Sequence, residues 1–139
     1  MDGPYDLQRF LDAQAPVYED VCRELGAGRK TSHWMWFIFP QIEGLGGSSM
    51  SQRYAISGRD EATAFAAHPV LGARLRECTA LVNAAEGRTA HQVFGSPDDL
   101  KFRSSMTLFA RCATEPQVFE DAIGKFFDGD EDPLTLERL

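Results

Sequence analysis

No stretch of this sequence stays apolar for longer than the six residues from Trp34 to Phe39. A membrane-crossing helix needs about 20 such residues, so the sequence offers no candidate span. The opening MDGPYDLQRF holds neither a basic stretch nor an apolar one. It does not read as a secretion signal, and the expected compartment is the cytoplasm. Cysteine is scarce: Cys22, Cys78 and Cys112 are odd in number and lack ligand or redox spacing. Each falls in an apolar helical pattern, which reads as a reduced, buried thiol. Cys112 is the one with an activating neighbour, Arg111. The three histidines, His33, His68 and His91, are dispersed, so no metal site is expected. Positive charge is short as well, with 14 Lys and Arg against 21 Asp and Glu, a net of −7. Such a surface repels nucleic-acid backbones, and no nucleic-acid partner is expected. A local basic pocket still suits a small anion.

Also missing are internal repeats, low-complexity tracts and clean period-two alternation, so a sheet is not expected. Helical spacing takes its place. Leu7, Phe10 and Leu11 share a face over residues 6–13, with Asp6 as N-cap. Val17, Val21 and Leu25 follow, stopped by Gly26. Asp60 is a cap for 61–67, and Leu71, Leu75, Cys78 and Val82 form a stripe over 69–85. Thr89 to Gln92 is a capping box for a short helix ending at Gly95. Pro97 opens a helix over 97–113 with Phe102, Met106 and Phe109 inward, and Pro116 opens another with Phe119, Ile123 and Phe126 inward. Asp132-Pro133 caps a last turn, 133–138. The segment 33–39 reads equally well as a helix capped by Ser32 or as a buried strand. The expectation is an all-α fold: one globular domain over residues 1–139, of about seven to eight uneven helices, not a regular four-helix bundle.

Chemistry concentrates in two places. The first is His33 to Tyr54. Trp34 and Trp36 carry indole N–H groups that need acceptors when buried, and such rings often wall a ligand pocket. His33 precedes them, and an imidazole suits proton transfer. The 18 residues 41–58 hold four glycines and four serines, long for an inert connection. Within them Gln41, Ser48, Ser51, Arg53 and Tyr54 are candidate ligand contacts. The pattern matches neither of the common glycine-rich phosphate motifs. The second place is the helix carrying Asp99, Lys101, Ser104 and Ser105. Small hydroxyls in mid-helix lower helix propensity, so this face either packs tightly against a neighbour or presents hydroxyls and an ammonium to a ligand. Asp128, Asp130 and Asp132 imitate the start of a calcium loop, but Pro133 and Leu139 stand where glycine and glutamate belong.

Four stretches carry a resemblance: GRKTSHWMWFIFPQIEGLG, the run Ser48 to Ile56, HPVLGARL and DDLKFRSSMTLFA. Together they resemble a bacterial and fungal domain family of unknown function, sometimes mislabelled calpastatin, with a mycobacterial member of known all-helical fold. The resemblance covers about Tyr5 to Leu139. It implies the all-α fold and carries no reaction. The aromatic segment, Glu61-Ala62 and Lys101 to Leu108 are also loosely similar to helical domains that act on ADP-ribose and related N-glycosides.

The functional expectation is a small-molecule enzyme or binder for a nucleotide-like or ribosyl-phosphate (NAD/ADP-ribose-type) compound. Trp34 or Trp36 would stack the base, and Lys101 with Arg53 would balance phosphate charge. Ser48, Ser51, Tyr54, Ser104, Ser105 and Gln41 would bind polar groups, and His33 or Asp99 would move a proton. The alternative is a non-catalytic interaction module with an acidic surface. The first reading requires both segments to line one cavity.

Overall fold

Helix α8 (Asp98–Cys112) is the axis of the molecule because its middle, from Ser104 to Phe109, is apolar or small all round. Its residues from Ser104 to Phe109 are all buried. A helix of that kind has to be enclosed, and α5 (Arg59–Ala67), α7 (Ala90–Phe94), α9 (Gln117–Phe127) and α10 (Pro133–Glu137) enclose it. A second layer follows, with α6 (Leu71–Ala84) packed on α5 and α9, and α2 (Tyr18–Gly26) packed on α6. The computed structural model describes residues 4–139, and among these there are ten helices and no strand. The chain is all-α with one hydrophobic core.

The core is bonded by its aromatics. Phe102 of α8 stacks on Phe94 at 4.6 Å and meets Phe39 edge-on at 5.0 Å. Two turns along, Phe109 contacts Phe65 and Phe119. Such offset and edge contacts suit the ring quadrupoles and add to the area they bury.

The ten helices exceed the expected seven to eight because several are single turns. α3 (Met35–Ile38) settles the open choice for 33–39 in favour of a helix, preceded by Trp34 rather than capped by Ser32. α4 (Ser49–Arg53) lies within the glycine-rich stretch and had no signal in apolar spacing. α1 (Gln8–Gln14) starts after Leu7, not Asp6, and α5 starts after Gly58, leaving Asp60 in its first turn. There its charge faces the positive helix end instead of capping it. The capping box at Thr89 forms as the spacing predicts, and Asp132 caps α10 by accepting from the Thr135 N–H.

The backbones of α5 and α6 approach closely at Gly72. A Cβ on Gly72 would lie 2.1 Å from the Ala66 carbonyl oxygen, so only glycine fits there. The stretch 41–58 is not a slack connection. Ile42 and Ile56 form an isolated parallel bridge, with Ile56 N–H donating to the Gln41 carbonyl at 2.9 Å and Glu43 N–H to the Ile56 carbonyl at 2.8 Å. The loop between them is therefore closed at its neck, and it folds back over α3.

Candidate functional site

Three elements meet at one cavity. α3 is held at both ends by buried polar side chains from elsewhere in the chain. On its entry side Glu24 of α2 accepts from Thr31 N–H at 2.7 Å, Ser32 N–H at 2.9 Å and the Trp34 indole N–H at 3.0 Å, all on Oε1. Burial pushes the Glu24 carboxyl up, but these donors outweigh it and hold it down at about 2. At the far end Gln14 of α1, itself buried, donates to the Phe37 carbonyl at 2.8 Å. With Met35, Phe37 and Ile38 turned into the core, Trp36 is the residue of this helix left half-buried.

Trp36 faces a cavity of about 420 Å³, within the range of small-molecule sites. α3 contributes Met35 and Trp36, with Phe39 just beyond. The loop contributes Gln41 through Gly44 and Gly46. The second arm of the loop adds Ser51, Gln52, Tyr54 and Ala55, and α8 adds Lys101. The arm is fixed by Arg9 of α1. Arg9 donates Nε to the Arg53 carbonyl and Nη2 to the Ala55 carbonyl, both at 2.9 Å, and pairs through Nη1 with buried Glu61 at 3.1 Å. Glu61 in turn accepts from Ser57 N–H at 2.8 Å.

Lys101 carries the site's electrostatics. Its Nζ stands 5.5 Å from the Trp36 ring centroid, within reach of a cation–π contact. Its nearest carboxylate oxygen, on Asp98, is 3.7 Å away, while Lys30 holds the other oxygen of Asp98 at 2.9 Å. One carboxylate between two ammonium groups leaves a surplus positive charge at that edge.

Of the residues expected at the site, Trp36, Gln41, Ser51, Tyr54 and Lys101 line this one cavity. The others are elsewhere, each for a visible reason. Trp34 is only 1% exposed, because its indole completes the Glu24 network in the core. His33 is exposed and off the cavity wall. Asp99 sits in the first turn of α8, where Oδ1 accepts from Leu100 N–H at 2.9 Å and Oδ2 lies 3.5 Å from His91. Ser48 caps α4, accepting from Ser51 N–H at 3.1 Å. Arg53 stands 5.5 Å over the Tyr54 ring and borders a separate depression with Arg9 and Asp12.

Ser104 and Ser105 are buried inside the helix packing. Ser104 bonds the Leu100 carbonyl and Asp132, and Ser105 Oγ has no partner. Ser104 is therefore part of the surface on which α10 docks. Thr107 shares that duty, donating to the Arg103 carbonyl at 2.8 Å and accepting from Asp132 N–H at 2.9 Å. Sequence reasoning missed Glu43, the carboxylate on the cavity wall, and the flanking Gln52, Gly44 and Gly46. Their one signal was membership of the same unusual loop.

Cys112 is not activated by Arg111, whose guanidinium is engaged by Glu131 through both oxygens at 2.5 and 2.7 Å. Burial pushes the Cys112 thiol up, with Arg59 opposing more weakly. Cys22 is half-buried rather than core, and shares a polar cluster with Tyr18, Glu77 and Cys78. Burial raises the Tyr18 hydroxyl, reinforced by its bond to Glu77, and takes the Cys78 thiol up to about 12. Among the described residues no group of three or more His, Cys, Asp or Glu could hold a metal ion, and no helix is long and apolar enough to cross a membrane.

The family described as protein of unknown function (DUF1810) matches residues 4–139. The crystal structure of the conserved hypothetical protein Rv1873 from Mycobacterium tuberculosis is similar at a TM-score of 0.96 and 54% identity, over 98% of this chain and 97% of that one. No curated protein matches the chain.

Proposed function

The chain belongs to the DUF1810 family of proteins of unknown function, a membership that brings no reaction with it, and we propose that its Trp36–Lys101 cleft binds a small nucleotide-like or ribosyl-phosphate compound of the NAD or ADP-ribose type. One observation carries the reading. An indole and an ammonium 65 positions apart in sequence stand 5.5 Å from each other on the wall of a single cavity. Side chains able to bond hydroxyls and amides, Gln41, Ser51 and Gln52, line the same space. The indole offers a planar ligand a stacking partner, and the Lys101 charge, shared out incompletely by Asp98, offers an anionic group a counter-ion.

The proton-moving roles first given to His33 and Asp99 pass to the ionisable groups on the wall, Glu43 and Lys101. A carboxylate at that position suits chemistry in which positive charge develops on a sugar carbon. A thermal-shift series with nucleotides, NAD and ADP-ribose tests the proposal. A ligand at one hundred times its dissociation constant stabilises by about 2.7 kcal/mol, and Trp36→Ala and Lys101→Ala each abolish that shift. No stabilisation by any of these compounds overturns the reading in favour of an interaction module with an acidic surface.

A further inference from the structure

Resting on that reading of the cleft, we propose that Lys30 is a positioning residue that sets the cleft's affinity for anionic ligands, by engaging Asp98 and so leaving Lys101 free. Lys30 itself lies off the cavity wall. The two lysines share the one carboxylate unequally. Lys30 Nζ stands 2.9 Å from Asp98 Oδ2, whereas Lys101 Nζ stands 3.7 Å from Oδ1. The Lys30 side chain is 8% exposed and that of Lys101 23%. Attraction between charges strengthens as they approach and as water is excluded. Asp98 is therefore the counter-ion of Lys30 first and of Lys101 second.

Lys30 is fixed where it stands. Its backbone N–H donates to the Val93 carbonyl of α7 at 2.7 Å, and its ammonium lies 5.1 Å from the Trp34 ring centroid. Trp34 is held in turn by its indole N–H bond to Glu24. Asp98 is steadied from the other side, in the first turn of α8, where the positive helix end favours a carboxylate. Lys101, one turn along the same helix, has its ammonium over Trp36. The outcome is an alternating row of Trp34, Lys30, Asp98, Lys101 and Trp36. Its Trp34 end is sealed in the core, and its Trp36 end lies on the cavity. The row carries two positive charges against one negative. The surplus falls on the member with the longer pairing and the greater exposure, which is Lys101. With Lys30 removed, Asp98 keeps Lys101 as its ammonium partner, three positions on and on the same helix face, and the surplus vanishes.

ADP-ribose, titrated into the full chain by calorimetry, is the anionic probe, and adenosine is its uncharged counterpart. Lys30→Met is expected to weaken ADP-ribose by about fivefold and to leave adenosine unchanged. Asp98→Asn tightens ADP-ribose by a similar factor. Lys30→Met combined with Asp98→Asn returns ADP-ribose to the wild-type affinity, because the row again carries one surplus positive charge. A purely structural role for Lys30 gives no such recovery and weakens adenosine as much as ADP-ribose. The inference is overturned if Lys30→Met binds ADP-ribose like the wild type, if the double substitution stays as weak as the single one, or if adenosine weakens equally. In each case the cleft remains a ligand site. Absence of tightening in Asp98→Asn overturns it as well, even where Lys30→Met does not fold. If the wild type does not bind ADP-ribose, the inference also fails. The ligand site falls with it only when NAD and the nucleotides give no thermal shift either.

Discussion

Replacing Glu24 by glutamine changes one oxygen of a buried carboxylate to an NH2 and removes one charge. Glu24 is 5% exposed, and three N–H donors converge on its Oε1. Its Oε2 is buried without a partner. Glutamine keeps an acceptor for some of the donors, but it loses the charge that strengthens them and leaves an amide N–H facing nothing. The carboxyl is held at about 2 against an ordinary 4.5. At about 1.4 kcal/mol for each pH unit, that gap corresponds to about 3 kcal/mol of stability.

Because the folded-state value is depressed, this contribution is complete above about pH 4.5 and disappears as pH falls through about 2. Urea denaturation of the wild type and Glu24→Gln, followed by tryptophan fluorescence at several pH values, measures it directly. The difference between the two proteins cancels the titration of the other carboxylates. The expected gap is about 3 kcal/mol at pH 7, little changed at pH 5.5, and shrinking steadily between pH 4.5 and 2.5. A gap that stays constant across that range, or one below about 1 kcal/mol at pH 7, refutes the account of Glu24 as a charged clamp on α3.

Arg9→Ala removes two carbonyl partners and the counter-charge of buried Glu61. Thermal unfolding should show a loss of about 3–5 kcal/mol, only partly recovered by Arg9→Lys, because lysine lacks the planar fork. Gly72→Ala forces α5 and α6 apart, because its Cβ would fall 2.1 Å from the Ala66 carbonyl oxygen. The unfolding free energy from denaturant titration should fall by about 1–3 kcal/mol, and an unchanged midpoint would contradict that close approach. With the Cys78 thiol pushed to about 12 and Cys112 raised by burial, a thiol reagent at pH 8 should reach them only on unfolding. Rapid labelling of either in the native protein, read by mass spectrometry, argues against that burial.

Much of the architecture is local and could be read along the chain. Apolar residues at helical spacing define α2, α6, α8 and α9 within a residue or two, because the 3.6-residue period is written into which side chains are buried. Thr89 with Gln92 and Asp132 with Thr135 cap their helices over three residues, a distance the sequence states outright. The membership of the family was legible too, from long shared stretches.

The site depended on contacts the sequence does not encode locally. Trp34 and Trp36 are two positions apart with the same side chain. One completes a buried carboxylate network and the other walls a cavity, because Glu24 sits beside the first and Lys101 over the second. Ser104 and Ser105 next to Lys101 looked like part of a polar face. Helix packing buries both, with Ser104 bonded to the Asp132 cap of α10, and leaves Lys101 at the edge. Local periodicity fixes which faces turn inward. Which polar groups then share a space is decided only when helices pack, since a hydrogen bond or ion pair depends on separation in three dimensions.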